Sequence, residues 1–236
     1  MSFSVSNFLE SLQSAFLYAP TTLALTFVTF FISLILGTVI ATVRHYKVPI
    51  LSQLLGVFVT VYLGIPMMVA LVLYNLLFMT FYNDVAEALH ITVPISDINP
   101  IYIGFFALIL GTSCSLSESV RGAFRGIDKT QYEAGYSIGL TRIRTLRRII
   151  FPQMVHILLP GMQNSLIGLL KASNLVSAIA VIEIMTGALL PALLYYSYLE
   201  GYVAAALVYW LIGACIELVA HFLEKNSGRY LKKVIM

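Results

Sequence analysis

The sequence predicts an all-α integral membrane protein with five transmembrane helices and one large basic loop, and three observations predict it. Of 236 residues, 59% are hydrophobic and only 11% are charged, too little polar surface for a water-soluble domain. Mean hydropathy is +0.90. The apolar residues gather into runs that match the roughly 20 residues needed to cross a bilayer, and the basic residues gather between alternate runs. One transmembrane domain covering residues 1–236 is expected.

The first run is 21–43, ended by Arg44, His45 and Lys47. No Lys or Arg precedes it, so the positive n-region of a cleavable signal is missing and this span is expected to act as the membrane signal itself. The second run, 54–81, is interrupted by Gly64-Ile65-Pro66. Proline within a membrane helix frees a backbone carbonyl, which a pore-facing kink or a packing kink can both accommodate. The third run is 101–119, the fourth 160–184 and the fifth 203–222, with a loop at 121–159 between the third and fourth. Cys114 and Cys215 lie in apolar runs with no paired spacing and read as small buried hydrophobes.

Positive charge sets the orientation. All fourteen Lys and Arg except Lys171 fall after span one, after span three or after span five, whereas residues 1–20, 82–100 and 185–202 carry Glu10, Asp84, Glu87, Asp97 and Glu200 and no basic residue. By the positive-inside rule the N-terminus is outside and the C-terminus cytoplasmic. The net charge of +3 therefore belongs to loops flanking a lipid bilayer, and no nucleic-acid surface is expected.

Within the loop, Thr130-Gln-Tyr-Glu133 has capping-box spacing, which predicts a helix starting at Gln131. Gly139 can adopt the left-handed conformation that closes it, and Thr141 can cap a second short helix running towards Pro152. Ala134 and Gly135 are small enough to let the first helix approach a partner closely, and Arg142, Arg144, Arg147 and Arg148 surround the bend. An amphipathic surface helix with ordinary positive-inside charges would share these features.

The spacing goes further. Glu133-Ala134-Gly135, then Gly139, then Ile149 and Phe151-Pro152 resembles the EAA loop of ATP-binding-cassette (ABC) importer permeases, with Gly135 where Ala is usual and Phe151 where Leu is usual. Glu118 to Ile127, Pro152-Gln153, Leu159-Pro160, Asn164 to Ile167 and Leu170 to Ser177 follow in register the pattern of the polar amino-acid, HisM/HisQ-like branch of that family. The resemblance implies a bacterial inner-membrane permease subunit whose cytoplasmic EAA coupling helix is gripped by an ABC ATPase dimer. Thr130, Glu133, Ala134, Gly135, Gly139 and Pro152 would carry the coupling. It also implies a second permease chain, identical or homologous, and an extracellular solute-binding protein. ATP and Mg would be bound by the partner ATPase, since this chain has no Gly-rich phosphate loop and no cofactor of its own is expected.

For the solute path, the candidates are Tyr62, Pro66 and Met67 at the interruption of span two, and Asn164, Lys171 and Glu183 on span four. A charge facing lipid costs about 2.5 to 3.5 kcal/mol on insertion scales, so Lys171 and Glu183 should face protein or water, as pathway groups or as a structural salt bridge. Glu118 and Arg121, three apart, are expected to pair near the cytoplasmic boundary. His45, His90, His156 and His221 are too scattered for a metal site, and no catalytic set is expected. A gradient-driven carrier or channel using Glu118, Lys171 and Glu183 as a relay is the alternative, although no inverted repeat is visible. A serine protease built on Ser113 or Ser115 with His221 is a weaker one, because neither five spans nor this loop is expected of it.

Overall fold

The computed structural model describes residues 3–235, with side chains described from Phe3 to Lys225. Its elements in order are α1 (Val5–His45), α2 (Leu51–Leu63), α3 (Met67–Ala88), α4 (Ile101–Arg125), α5 (Lys129–Ser137), α6 (Arg142–Thr145), a π turn (Leu146–Ile150), α7 (Phe151–Ala172), a 3-10 stretch (Ser173–Ile179), α8 (Ile184–Tyr195) and α9 (Tyr198–Ile235). Among the described residues there is no strand. Four helices, α1, α3, α4 and α9, are long and apolar enough to cross a membrane, and the pair Arg142–Ile179 and Ile184–Tyr195, bent by 52°, brings the number to five where it is counted as one span.

Three boundaries differ from the hydropathy reading. α1 begins at Val5, with the Ser4 hydroxyl accepting from the Asn7 amide, and continues through Pro20. Its extra turns are held by Ala15 and Ala19 against Ile184, Ala188, Ala205 and Val208, a long-range packing to which local hydropathy is blind. Span two is two helices. Pro66 has no N–H to continue a ladder, so α2 closes with the Gly64 and Ile65 amides donating to Val61 and Tyr62 oxygens at 3.1 and 3.0 Å, and α3 starts afresh. Span four ends as a helix before 184. Ala180 takes φ +63°, the chain extends through Glu183, and α8 begins in a new direction.

The bundle is organised about the α1–α4 contact. On α1, Thr22, Thr26, Thr29, Ser33, Gly37 and Ala41 are buried at helical spacing, and around Gly37 α4 answers with Ser113, Leu116 and Ser117. A Cβ on Gly37 would stand 2.9 Å from the Ser113 carbonyl oxygen. In lipid there is no hydrophobic gain between helices, so small residues that admit close backbone contact drive association. The Ser33 hydroxyl adds a 3.0 Å bond to the Ile109 carbonyl. At one end of the bundle, Ala41, Val120, Phe124, Ile127, Ile150 and Met154 form a cluster that joins α1, α4 and the start of α7. This is the end that carries α5 and α6. At the other, the Ser4 amide donates to Glu200 Oε1 at 2.8 Å, tying the start of α1 to the start of α9.

Candidate coupling surface and path

The polar segment between α4 and α7 is built from its caps inward. α5 starts two residues earlier than expected, because Asp128 and not Thr130 is the cap. The Asp128 carboxylate accepts from both the Thr130 N–H (2.8 Å) and the Thr130 hydroxyl (2.9 Å), so Thr130 is a donor here and the Thr130/Glu133 box does not form. A carboxylate at the positive end of a helix outcompetes a hydroxyl for that role. The same two bonds, backbone first, hold the Asp128 carboxyl below the usual carboxylate range. The Glu133 carboxylate is left exposed one turn in, with no hydrogen-bond or ion-pair partner among the described residues, while its carbonyl accepts from the Ser137 hydroxyl.

α5 closes as the glycine suggests. Gly139 has φ +79°, the Leu140 amide donates to the Gly135 carbonyl (3.1 Å) and the Gly139 amide to the Tyr136 carbonyl (2.9 Å), which is the Schellman pattern. Thr141 then caps α6, its hydroxyl accepting from the Arg144 amide. Pro152 is not a stop. The helical limb runs on from α6 into α7 because the backbone widens at the π turn, where the Phe151 amide donates to the Leu146 carbonyl five residues back. That widening makes room for a proline ring in the first turn of α7 that would otherwise press on the carbonyl four residues back.

Gly135 is buried and Ala134 exposed, so the small pair divides its work. A Cβ on Gly135 would lie 2.5 Å from Thr145 Cγ2 and 2.8 Å from Thr145 Oγ1. The close approach expected of this residue is therefore made to the chain's own second limb. Tyr132 packs on the cluster that holds Phe124 and Ala41, and Gln153 Nε2 donates to Gln131 Oε1 at 3.2 Å. α5 is thus clamped on its inner side to α6 and the π turn, with Tyr132 reaching the cluster at the ends of α1 and α4 and Gln131 bonded to α7, and it shows Glu133, Ala134, Tyr136, Ser137 and Ile138 outward. Nothing local in the sequence marks Thr145 as the partner of Gly135; the signal would have been the i, i+10 pairing across a tight bend.

The expected Glu118–Arg121 pair is present, Arg121 Nη2 to Glu118 Oε2 at 2.7 Å, and Arg44 Nη1 takes the other carboxylate oxygen. Arg44, missed by local spacing, links the ends of α1 and α4.

The six path candidates fall into three places. Tyr62 (6% exposed) and Met67 meet over Gly111 of α4, where the Met67 methyl and the Tyr62 ring cover the glycine, and Pro66 is exposed at the start of α3. Asn164 and Lys171 are exposed along one face of α7 with Gly168 between them. Lys171 shares a cavity of about 350 Å³ with Tyr209, Trp210 and Glu217 of α9. Glu183 is elsewhere and 0% exposed. It is not on span four but caps α8, accepting from the Met185 and Thr186 amides (both 3.1 Å) and from the Tyr209 hydroxyl, and it makes no salt bridge with Lys171. Two free amides at a helix start satisfy a buried carboxylate without a cation.

Comparison with known proteins places these features in context. A family model described as a binding-protein-dependent transport system inner membrane component matches residues 30–228. The chain is 32% identical over 210 residues, 89% of its length and 90% of the other's, to the probable amino-acid ABC transporter permease protein PatM of Vibrio harveyi. It is also 32% identical over 213 residues, 90% of this chain and 86% of that one, to the L-cystine transport system permease protein TcyB of Bacillus subtilis (strain 168). Among solved structures, an amino acid ABC transporter with histidines superposes with a TM-score of 0.81 over 96% of this chain and 100% of that one, at 24% identity, a likeness of fold.

Proposed function

Because the chain belongs to the family of binding-protein-dependent transport system inner membrane components, we propose that it is the permease subunit of an ATP-driven importer for polar amino acids or related small solutes, coupled to a separate ATPase through α5. The observation that carries the coupling role is the clamping of α5: capped by Asp128, closed at Gly139 and pressed on Thr145 through Gly135, it is rigid on the inside and unpartnered on the outside. A push on such a helix is passed into α7 and, through Tyr132, into α1 and α4, whereas a loose loop would absorb it.

In this reading two permease chains, identical or homologous, face each other in the bacterial inner membrane, with the N-terminus outside and the C-terminus in the cytoplasm. Two cytoplasmic ATPase subunits, which bind ATP and Mg, hold the two α5 helices, and a solute-binding protein docks on the outer face. Closure of the ATPases draws the α5 helices together and turns the bundles from inward to outward facing. Solute passes by Tyr62, Pro66 and Met67 at the broken second span and by Asn164 and Lys171 on α7. The amino-acid cargo is supported by the names of the similar permeases, among them one for L-cystine. A gradient-driven relay is disfavoured because Glu118 already holds two arginines and Glu183 caps α8. Substituting Glu133→Lys, or deleting 131–139, is expected to abolish solute-stimulated ATPase activity and uptake while the chain still inserts. Unchanged uptake with α5 deleted would refute the coupling role.

A further inference from the structure

On the limb that enters span four, Ile143, Arg144, Arg147 and Arg148 occupy positions i, i+1, i+4 and i+5, a single helical face, and together line a cavity of about 420 Å³. The opposite face, Thr145 and Ile149, is the one pressed on Gly135 of α5, so these guanidinium groups point away from the coupling helix. None of the three is within ion-pair distance of a carboxylate among the described residues. Three unpaired guanidiniums around one concavity ask for an anion that presents several oxygens, for which the planar guanidinium fork is suited.

What surrounds them selects the source. Ile143 is 79% exposed and Phe151, four residues beyond Arg147, is 59% exposed, so the basic face is flanked by apolar side chains and continues directly into a membrane-crossing helix. That sequence of chemistry, cation then aromatic then apolar wall, is the profile of the headgroup boundary, where basic side chains meet lipid phosphate. We infer that Arg144, Arg147 and Arg148 form a binding site for the phosphate of an anionic phospholipid in the leaflet nearest α5. The lipid braces the second limb from the side opposite α5, so that the limb is held between the two. This rests on the orientation read above, which a reporter fused to the C-terminus tests separately.

The site is tested in nanodiscs of phosphatidylglycerol and phosphatidylcholine in equal parts, measuring which lipid stays with the chain by native mass spectrometry and by spin-labelled lipid exchange. The wild-type chain is expected to retain phosphatidylglycerol selectively. Each Arg→Gln change should reduce the preference about fivefold, and R144Q/R147Q/R148Q should reduce it by roughly 100-fold, since each basic residue near an anionic surface contributes a factor of that size. Arg147→Lys alone, which keeps the charge and the fold, should lose less than Arg147→Gln. Undiminished retention in the triple variant would overturn the inference. Displacement of the lipid by millimolar inorganic phosphate would show a free-anion site instead. Loss of ATPase association with lipid selectivity intact would assign the arginines to the ATPase.

Discussion

Gly135 sets how closely α5 and the limb that begins with α6 meet. Glycine costs a helix about 0.5 to 1 kcal/mol relative to alanine, so Gly135→Ala would stabilise α5 if nothing stood beside it. Thr145 stands there, with its methyl 2.5 Å from where the new Cβ would be. Overpacking of that kind costs about 1 to 3 kcal/mol, more than the helix gains, and a β-branched side chain in a helix has little rotameric freedom to retreat. Gly135→Ala is therefore expected to lower hydrogen-exchange protection across 129–150 and to reduce uptake. Adding Thr145→Ala, which also removes a buried hydroxyl that has no partner, should restore both; failure of the double variant to recover would mean that the clash is not the cause. Glu183 is the second residue whose role the packing fixes. Glu183→Gln puts an amide N–H₂ against a hydrogen-bond donor, Tyr209 or a backbone amide of α8, at a cost of about 1 to 3 kcal/mol for an unsatisfied buried group. The expected result is a lower thermal midpoint with solute selectivity unchanged, and a change in selectivity at unaltered stability would return Glu183 to the path.

At the scale of an element, α5 shows which kinds of local signal are trustworthy. Gly139 and Thr141 were legible because positive φ and capping are decided within three or four residues, and both behave as the sequence implies. Thr130 was misread because two candidate caps stood two residues apart and the carboxylate of Asp128 is the stronger acceptor at a helix N-terminus. Pro152 does not end the second limb, because a π turn in which the Phe151 amide reaches back five residues lets the helix run through it. The cap gives a pH test. The Asp128 carboxyl titrates below the ordinary carboxylate range in the folded chain, so the cap's contribution is complete at neutral pH and is lost as the pH falls through that depressed value. Amide exchange of 129–137, referenced to α4, should quicken on acidification in the wild type. In Asp128→Asn, which still offers an oxygen but does not titrate, that acid dependence should vanish; if it persists, another group governs the start of α5.

Across the whole molecule, an all-helical chain with four to five apolar spans, and the grouping of basic residues at the ends of α1 and α4 and on α6 and the π turn, were readable from the hydropathy and charge pattern, since lipid admits few other solutions. Where span four breaks was not, because beside the local turn at Ala180 and the Glu183 cap the break is held by the Tyr209 hydroxyl on Glu183 and the Ile184 amide on the Thr22 hydroxyl, contacts between residues far apart in sequence. The same distance hid the separation of Glu183 from Lys171. Lys171 is left in a telling position: exposed in the last turn of α7, beside a cavity it shares with Trp210 and Glu217 and without an ion-pair partner among the described residues. A lysine facing lipid at the centre of a crossing costs about 2.5 to 3.5 kcal/mol, a cost that is relieved where the α7–α9 face meets water or a polar protein surface, as the proposed path or second permease chain would supply. Lys171→Leu removes that cost. The variant should therefore insert at least as well as the wild type, yet transport poorly, and under the proposed coupling through α5 ATP hydrolysis by the transporter should persist. Reconstituted uptake, set beside ATPase activity and membrane yield, separates the outcomes: normal transport by Lys171→Leu would place the lysine outside the path, and poor insertion would show that the charge serves assembly of the bundle and not passage through it.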